Sequence, residues 1–247
     1  EDTLPYAAPF MRALAELDLD ELAAAARTVR QNWDGHDELV EVLLGSDRRA
    51  PVRAVADALV AGAGLDAVLD AVVDATCVRM LRYDPAGEFD FHDDFGWLAI
   101  THGLTYGHAA RWAHERLGGR TSDATPATMR DLIRLTMFTA FQANWTGRHE
   151  WHIGVGDVAE VPDNVEDIAA EGDDLQRVAQ HDGTSTFIVH AHAVKTARAA
   201  AIEARRRNTP LPLVATRHFF DSPKLERFVA ANVTRSIDFL TGRSTRD

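Results

Sequence analysis

The stretch Leu65-Asp66-Ala67-Val68-Leu69-Asp70-Ala71-Val72-Val73-Asp74-Ala75-Thr76-Cys77-Val78-Arg79-Met80-Leu81-Arg82 decides the fold class. Leu65, Val68, Leu69, Val72, Val73 and Val78 recur at the spacing of one face of an α-helix. No glycine or proline interrupts them, and Tyr83-Asp84-Pro85-Ala86-Gly87 stops the run with turn-forming residues. Toward the N-terminus the same period predicts helices over 51–61, where Pro51 suits a first turn, and over 37–44. Residues 14–29 read as one bent helix or two, with Asp18 or Asp20 capping the second part.

Toward the C-terminus, 94–117 reads as a core helix rich in histidine and aromatic residues, closed by Gly118-Gly119. Thr125-Pro126-Ala127-Thr128 opens the next helix, which turns Leu132, Ile133, Leu135, Met137, Phe138 and Phe141 inward before reaching Trp145 and His149. Periodicity returns over 185–207 and again over 223–240. The acidic stretch 163–174 reads as an exposed connection with some helix, its charges solvated. Strand signals are almost absent. The expectation is an all-α protein, one globular domain of about ten helices over 1–247. The first residue is Glu1 rather than Met, which points to trimming, a leader or excision from a longer polypeptide.

Composition narrows the function classes. The chain carries 38 acidic and 26 basic residues, a formal charge of -12 that repels nucleic-acid phosphates and anionic membranes. No apolar run approaches the roughly 18 residues of a bilayer span. Nucleic acid and membrane are therefore not expected as partners. Cys77 is the single cysteine, which excludes an internal disulfide and fits the cytoplasm. Neither a Gly-x-Ser-x-Gly elbow nor a glycine-rich phosphate loop occurs, so serine catalysis and nucleotide cofactors held by such loops are not expected.

Chemistry is expected from the 11 histidines. His190-Ala191-His192-Ala193-Val194-Lys195 is the sharpest local feature: on a helix His192 and Lys195 share a face, among apolar neighbours. A lysine there must emerge to water, meet a carboxylate or change chemically. The ordinary outcome is a lysine that snorkels and a core histidine. The chemical alternative is reaction of a desolvated neutral amine with carbon dioxide, giving a carbamate that ligates a divalent metal beside His192.

A second gathering runs from Phe91-His92-Asp93-Asp94 to Thr101-His102-Gly103-Leu104-Thr105-Tyr106-Gly107-His108. His102 and His108 point about 120° apart on a helix, and His92 lies about 15 Å from His102 along a continuous one. They cannot all serve one ion unless the chain breaks near Asp94 or Gly96. Gly103 and Gly107 within a helix imply close approach of another helix or a ligand, which singles out His102. The third gathering, Arg148-His149-Glu150-Trp151-His152, lacks the four-residue histidine spacing of a zincin, and stacking of a histidine on Trp145 is its ordinary reading.

At Phe91-His92-Asp93, at Thr101-His102-Gly103-Leu104-Thr105-Tyr106 and at Ala191-His192-Ala193-Val194-Lys195 the chain resembles the questin oxidase-like family. These are helical proteins associated with oxidative opening of anthraquinone rings. The resemblance spans about 91–205. It implies a non-heme iron held by His102, His192 and a carboxylated Lys195, with His92 and His149 completing the set. Tyr106, one turn beyond His102, is then placed to orient an aromatic substrate, with Trp97, Phe138, Phe141 and Trp145 as apolar walls. The implied activity is a metal-dependent oxygenase acting on an aromatic, polyketide-type molecule. Rieske ligation needs two cysteines, so an iron-sulfur electron donor would be a separate domain or partner. The same carbamate with zinc or another divalent metal would serve a hydrolase, and a non-catalytic helical binding module is the third expectation.

Overall fold

The computed structural model describes residues 7–89, 96–117, 124–148, 167–181 and 187–224, with 233, 236–238 and 240–242. Through residue 221 they form ten α-helices and two 3-10 turns, residues 233, 236–238, 240 and 241 are also helical, and no strand occurs among the described residues. The helices are α1 (Ala7–Ala15), α2 (Leu19–Ala25), α3 (His36–Leu44), α4 (Ala50–Val60), α5 (Leu65–Arg82), α6 (Trp97–Arg116), α7 (Pro126–Trp145), α8 (Ile168–Gln180), α9 (Phe187–Arg207) and α10 (Leu211–Asp221). The all-α reading holds. No described helix is long and apolar enough to cross a membrane.

Contacts divide the chain into two compact units. One comprises Glu1–Arg79 with His102–Glu150, the other Met80–Thr101 with Trp151–Asp247. In the first unit, α7 packs against α2, α3 and α4. Its start is fixed by Thr125, whose hydroxyl accepts the Thr128 N–H at 3.1 Å, with Pro126 at the first turn. Asp18 caps α2 by accepting the N–H groups of Asp20 and Glu21. The last turn of α3 is closed from outside the helix: the buried Asn144 amide donates to the carbonyls of Val42, Leu43 and Gly45. The cap N–H of Gly45 also reaches Val42, Arg79 reaches Leu43 and Arg48 reaches Gly45, so protein groups satisfy the carbonyls at this helix end where water cannot.

Helix α5 is buried on most of its circumference, from Leu65, Val68 and Leu69 through Val72, Val73, Ala75, Thr76 and Cys77. Such a helix reads apolar nearly all round because neighbours cover it on several sides. One neighbour is α6, and its glycines explain how closely the two pass. A Cβ on Gly103 would stand 2.7 Å from both Oγ1 and Cγ2 of Thr76, and one on Gly107 would stand 3.0 Å from Val73. The expected close approach at these glycines is thus made by another helix.

In the second unit, α9 packs against α8 and α10. The stretch expected to be a solvated connection is largely α8, and its carboxylates are paired rather than merely solvated. Arg217 on α10 reaches Glu171 and Asp174 at 2.5 and 2.9 Å, and Arg205 on α9 pairs with Asp173. The Arg217 hydrogen bond is the main reason that Asp174 titrates below the usual carboxylate range. The expected helix over 223–240 lies mostly outside the described residues, and α10 stands where the sequence reading placed no helix.

Candidate functional site

The residues expected to ligate a metal are distributed as follows. His92 and His149 lie outside the described residues. His102 belongs to the first unit, and its ring stacks on Tyr106 with centroids 5.3 Å apart and planes 5° from parallel. Tyr106 itself is exposed. His192 and Lys195 sit on α9 in the second unit. His192 is buried, whereas Lys195 is exposed and forms no hydrogen bond or ion pair among the described residues. Three residues along a helix turn the side chain by about 60° from its starting direction, enough to cross from a buried stripe to solvent. The core boundary of α9 runs between these two side chains. Among the described residues no three His, Cys, Asp or Glu side chains gather closely enough to hold a metal ion.

His192 is held in a defined state. Its Nδ1–H donates to the Ile188 carbonyl at 2.8 Å, which leaves Nε2 with the lone pair. Burial, and secondarily the Lys195 charge, lower its pKa below the usual imidazole value. The folded imidazole therefore binds a proton less readily than the unfolded one. Its contribution to stability is whole above about pH 6.5 and is lost as the pH falls through the folded value. Urea denaturation of the wild type and His192→Asn should show the wild type losing more stability between about pH 7.5 and about pH 5. Equal losses would contradict this assignment.

Of the aromatic residues expected to wall a substrate, Trp97 is core in the second unit, packed on Tyr83, His218 and Phe219. Phe141 is core in the first, against Phe10 and Trp145. Glu88 fixes the start of α6 by accepting the Trp97 N–H at 2.8 Å and the Tyr83 hydroxyl at 2.7 Å.

The first unit holds a cleft of about 660 Å³ that the sequence reading did not anticipate. Ala26, Val29, Trp33, Leu65, Ala67 and Met129 give it apolar walls, and Arg27, Arg30, Gln31, Asp66, Asp70 and His114 give it polar groups. Asp66 and Asp70 stand one turn apart on α5 and share Arg111 of α6, with Asp70 at 2.6 Å and Asp66 at 3.5 Å. Arg111 is 2% exposed and both carboxylates about a third exposed, so the cation lies beneath and the anions face the cleft. His114 is buried beside them. The Thr136 hydroxyl spends its proton on the Leu132 carbonyl, so its oxygen accepts from His114 Nε2–H at 3.0 Å. His114 Nδ1 stands 3.9 Å from Asp66.

This is a polar floor fixed in advance by buried partners, under apolar walls. It is an arrangement for binding a molecule of moderate size. Its sequence signal is the repeat of Asp66, Asp70 and Asp74 at four-residue spacing within an otherwise apolar helix; Asp74 pairs with His36 at 3.0 Å. No family model, characterised protein or solved structure matches the chain.

Proposed function

We propose that the chain is a helical binding module whose ligand, a small organic molecule, occupies the cleft between Trp33 and the Asp66–Asp70 edge of α5. The observation that carries this reading is the buried Arg111 holding two cleft-facing carboxylates in place. Burying a guanidinium is costly, and a carboxylate pair anchored this way gives rigidity to the surface it supports. The volume of about 660 Å³ lies within the range of ligand pockets, roughly 300 to 1,000 Å³.

Filling the cleft tests the reading. Ala67→Trp places an indole among the lining residues, at a position that is only half-buried. Library compounds that raise the melting temperature of the wild type should leave this variant unmoved. Equal shifts in both proteins would exclude the cleft as the ligand site.

A second reading is the metal-dependent oxygenase that the resemblance implies. In it iron, or zinc in the hydrolase form, is held by His102, His192 and a carboxylated Lys195 together with His92 and His149, beside Tyr106. What favours it is His192: burial keeps its imidazole neutral, and the Ile188 carbonyl fixes the tautomer that leaves Nε2 able to ligate. The described residues fit its other half poorly, because Lys195 is exposed, whereas the carbamate calls for a desolvated amine. Metal analysis of untagged protein decides this reading. It requires tight transition-metal binding that Lys195→Ala abolishes, and wild-type metal content in that variant would exclude it.

A further inference from the structure

We propose that the cleft selects organic acids, a carboxylate head on Arg30 with an apolar body against Trp33, Val29 and Leu65. This rests on the binding reading given above and names its ligand class. Three guanidinium groups, Arg27, Arg30 and Arg111, meet two carboxylates, Asp66 and Asp70, at and beneath the cleft surface. Among the lining residues Arg27 and Arg30 equal Asp66 and Asp70 in number, in a chain whose overall charge is -12. Arg111 is spent on the two carboxylates, and Arg27 spends a donor on the Ala124 carbonyl. Arg30 remains: its guanidinium makes no hydrogen bond or ion pair among the described residues.

Arg30 is exposed, and its backbone and stem are seated against Gly62. Its backbone N–H donates to the Gly62 carbonyl at 2.9 Å. Its side-chain stem lies across Gly62, where an added Cβ would come within 2.6 Å of Cγ and 2.8 Å of Cδ. Gly62 has φ +96, a conformation that favours glycine, so the backbone there makes room for the stem. Trp33 is seated similarly, its ring placed so that a Cβ on Gly35 would stand 2.9 Å from it. The guanidinium that this stem carries presents a planar fork of donors that matches one carboxylate in two-point contact. A phosphate monoester brings greater negative charge toward Asp66 and Asp70, which face the same cleft.

The test is an affinity comparison on the full chain, read by the change in Trp33 emission against a Trp33→Phe control. The probes are matched sets of carboxylates, primary amides, amines and phosphate monoesters built on the same naphthalene and indole bodies. Carboxylates should bind about tenfold or more tighter than their amides, and Arg30→Gln should remove that preference while leaving amide affinity and melting temperature unchanged. Equal affinity of acid and amide at the cleft would overturn the carboxylate assignment and leave the binding reading standing. Preference for amines through Asp66 and Asp70, or for phosphates, would overturn it likewise. Absence of binding by every set would overturn both.

Discussion

Replacing Asp66 and Asp70 together by alanine lowers the stability of the first unit by about 3 kcal/mol, because a guanidinium in the protein interior then keeps its charge without either carboxylate. Arg111 is 2% exposed, so water cannot replace the lost partners without opening the packing between α5 and α6. Alanine is the best helix former, so local propensity in α5 works against the loss and does not cause it. Adding Arg111→Met to the double variant should recover at least half of the loss, since the uncompensated charge leaves and an unbranched apolar chain fills its place. Urea denaturation followed by far-ultraviolet circular dichroism checks both values. A double variant as stable as wild type would show that Arg111 is not anchored by these carboxylates.

The second large effect is expected at Gly103. Valine there places a Cβ 2.7 Å from Oγ1 and Cγ2 of Thr76 and adds two methyl groups that a helix restricts to nearly one rotamer. Thr76 is itself fixed, its hydroxyl donating to the Val72 carbonyl at 2.9 Å. The two helices must separate, at a cost of about 3 kcal/mol for overpacking in a buried interface. Thr76→Ala in the same chain removes both crowded atoms and leaves the Thr76 Cβ, 3.3 Å from the new one, so the pair should be more stable than Gly103→Val alone. Additive losses in a double-mutant cycle would contradict the close approach.

Much of the helical architecture was legible in the sequence because it depends on periodicity and punctuation. The 65–82 helix was read with the ends that α5 has, and Thr125-Pro126 marked the start of α7 by its capping chemistry. The α10 helix went unread: Leu211–Asp221 opens among Pro210 and Pro212, which read as turn signals although both are tolerated in a first helical turn. Leu135 was placed inward and is exposed, since a single apolar residue at the edge of a stripe carries no direction of its own.

The candidate cleft was not legible for a different reason. Asp66 and Asp70 look like a solvent face on α5, and their partner Arg111 is more than forty positions away, so no local pattern joins them. The reverse held on α9. His192 and Lys195 look joined by their spacing, yet burial separates them, because the three-residue step that keeps two side chains adjacent also suffices to carry one of them into solvent.

The account depends most on the cleft being where a ligand sits. A crystal structure of the chain soaked with a compound that raises its melting temperature measures this directly. The account predicts ordered ligand density between Trp33, Leu65 and Arg30, with Asp66 and Asp70 still on Arg111. Ligand density elsewhere in the chain, with that cleft holding none of it, would contradict it.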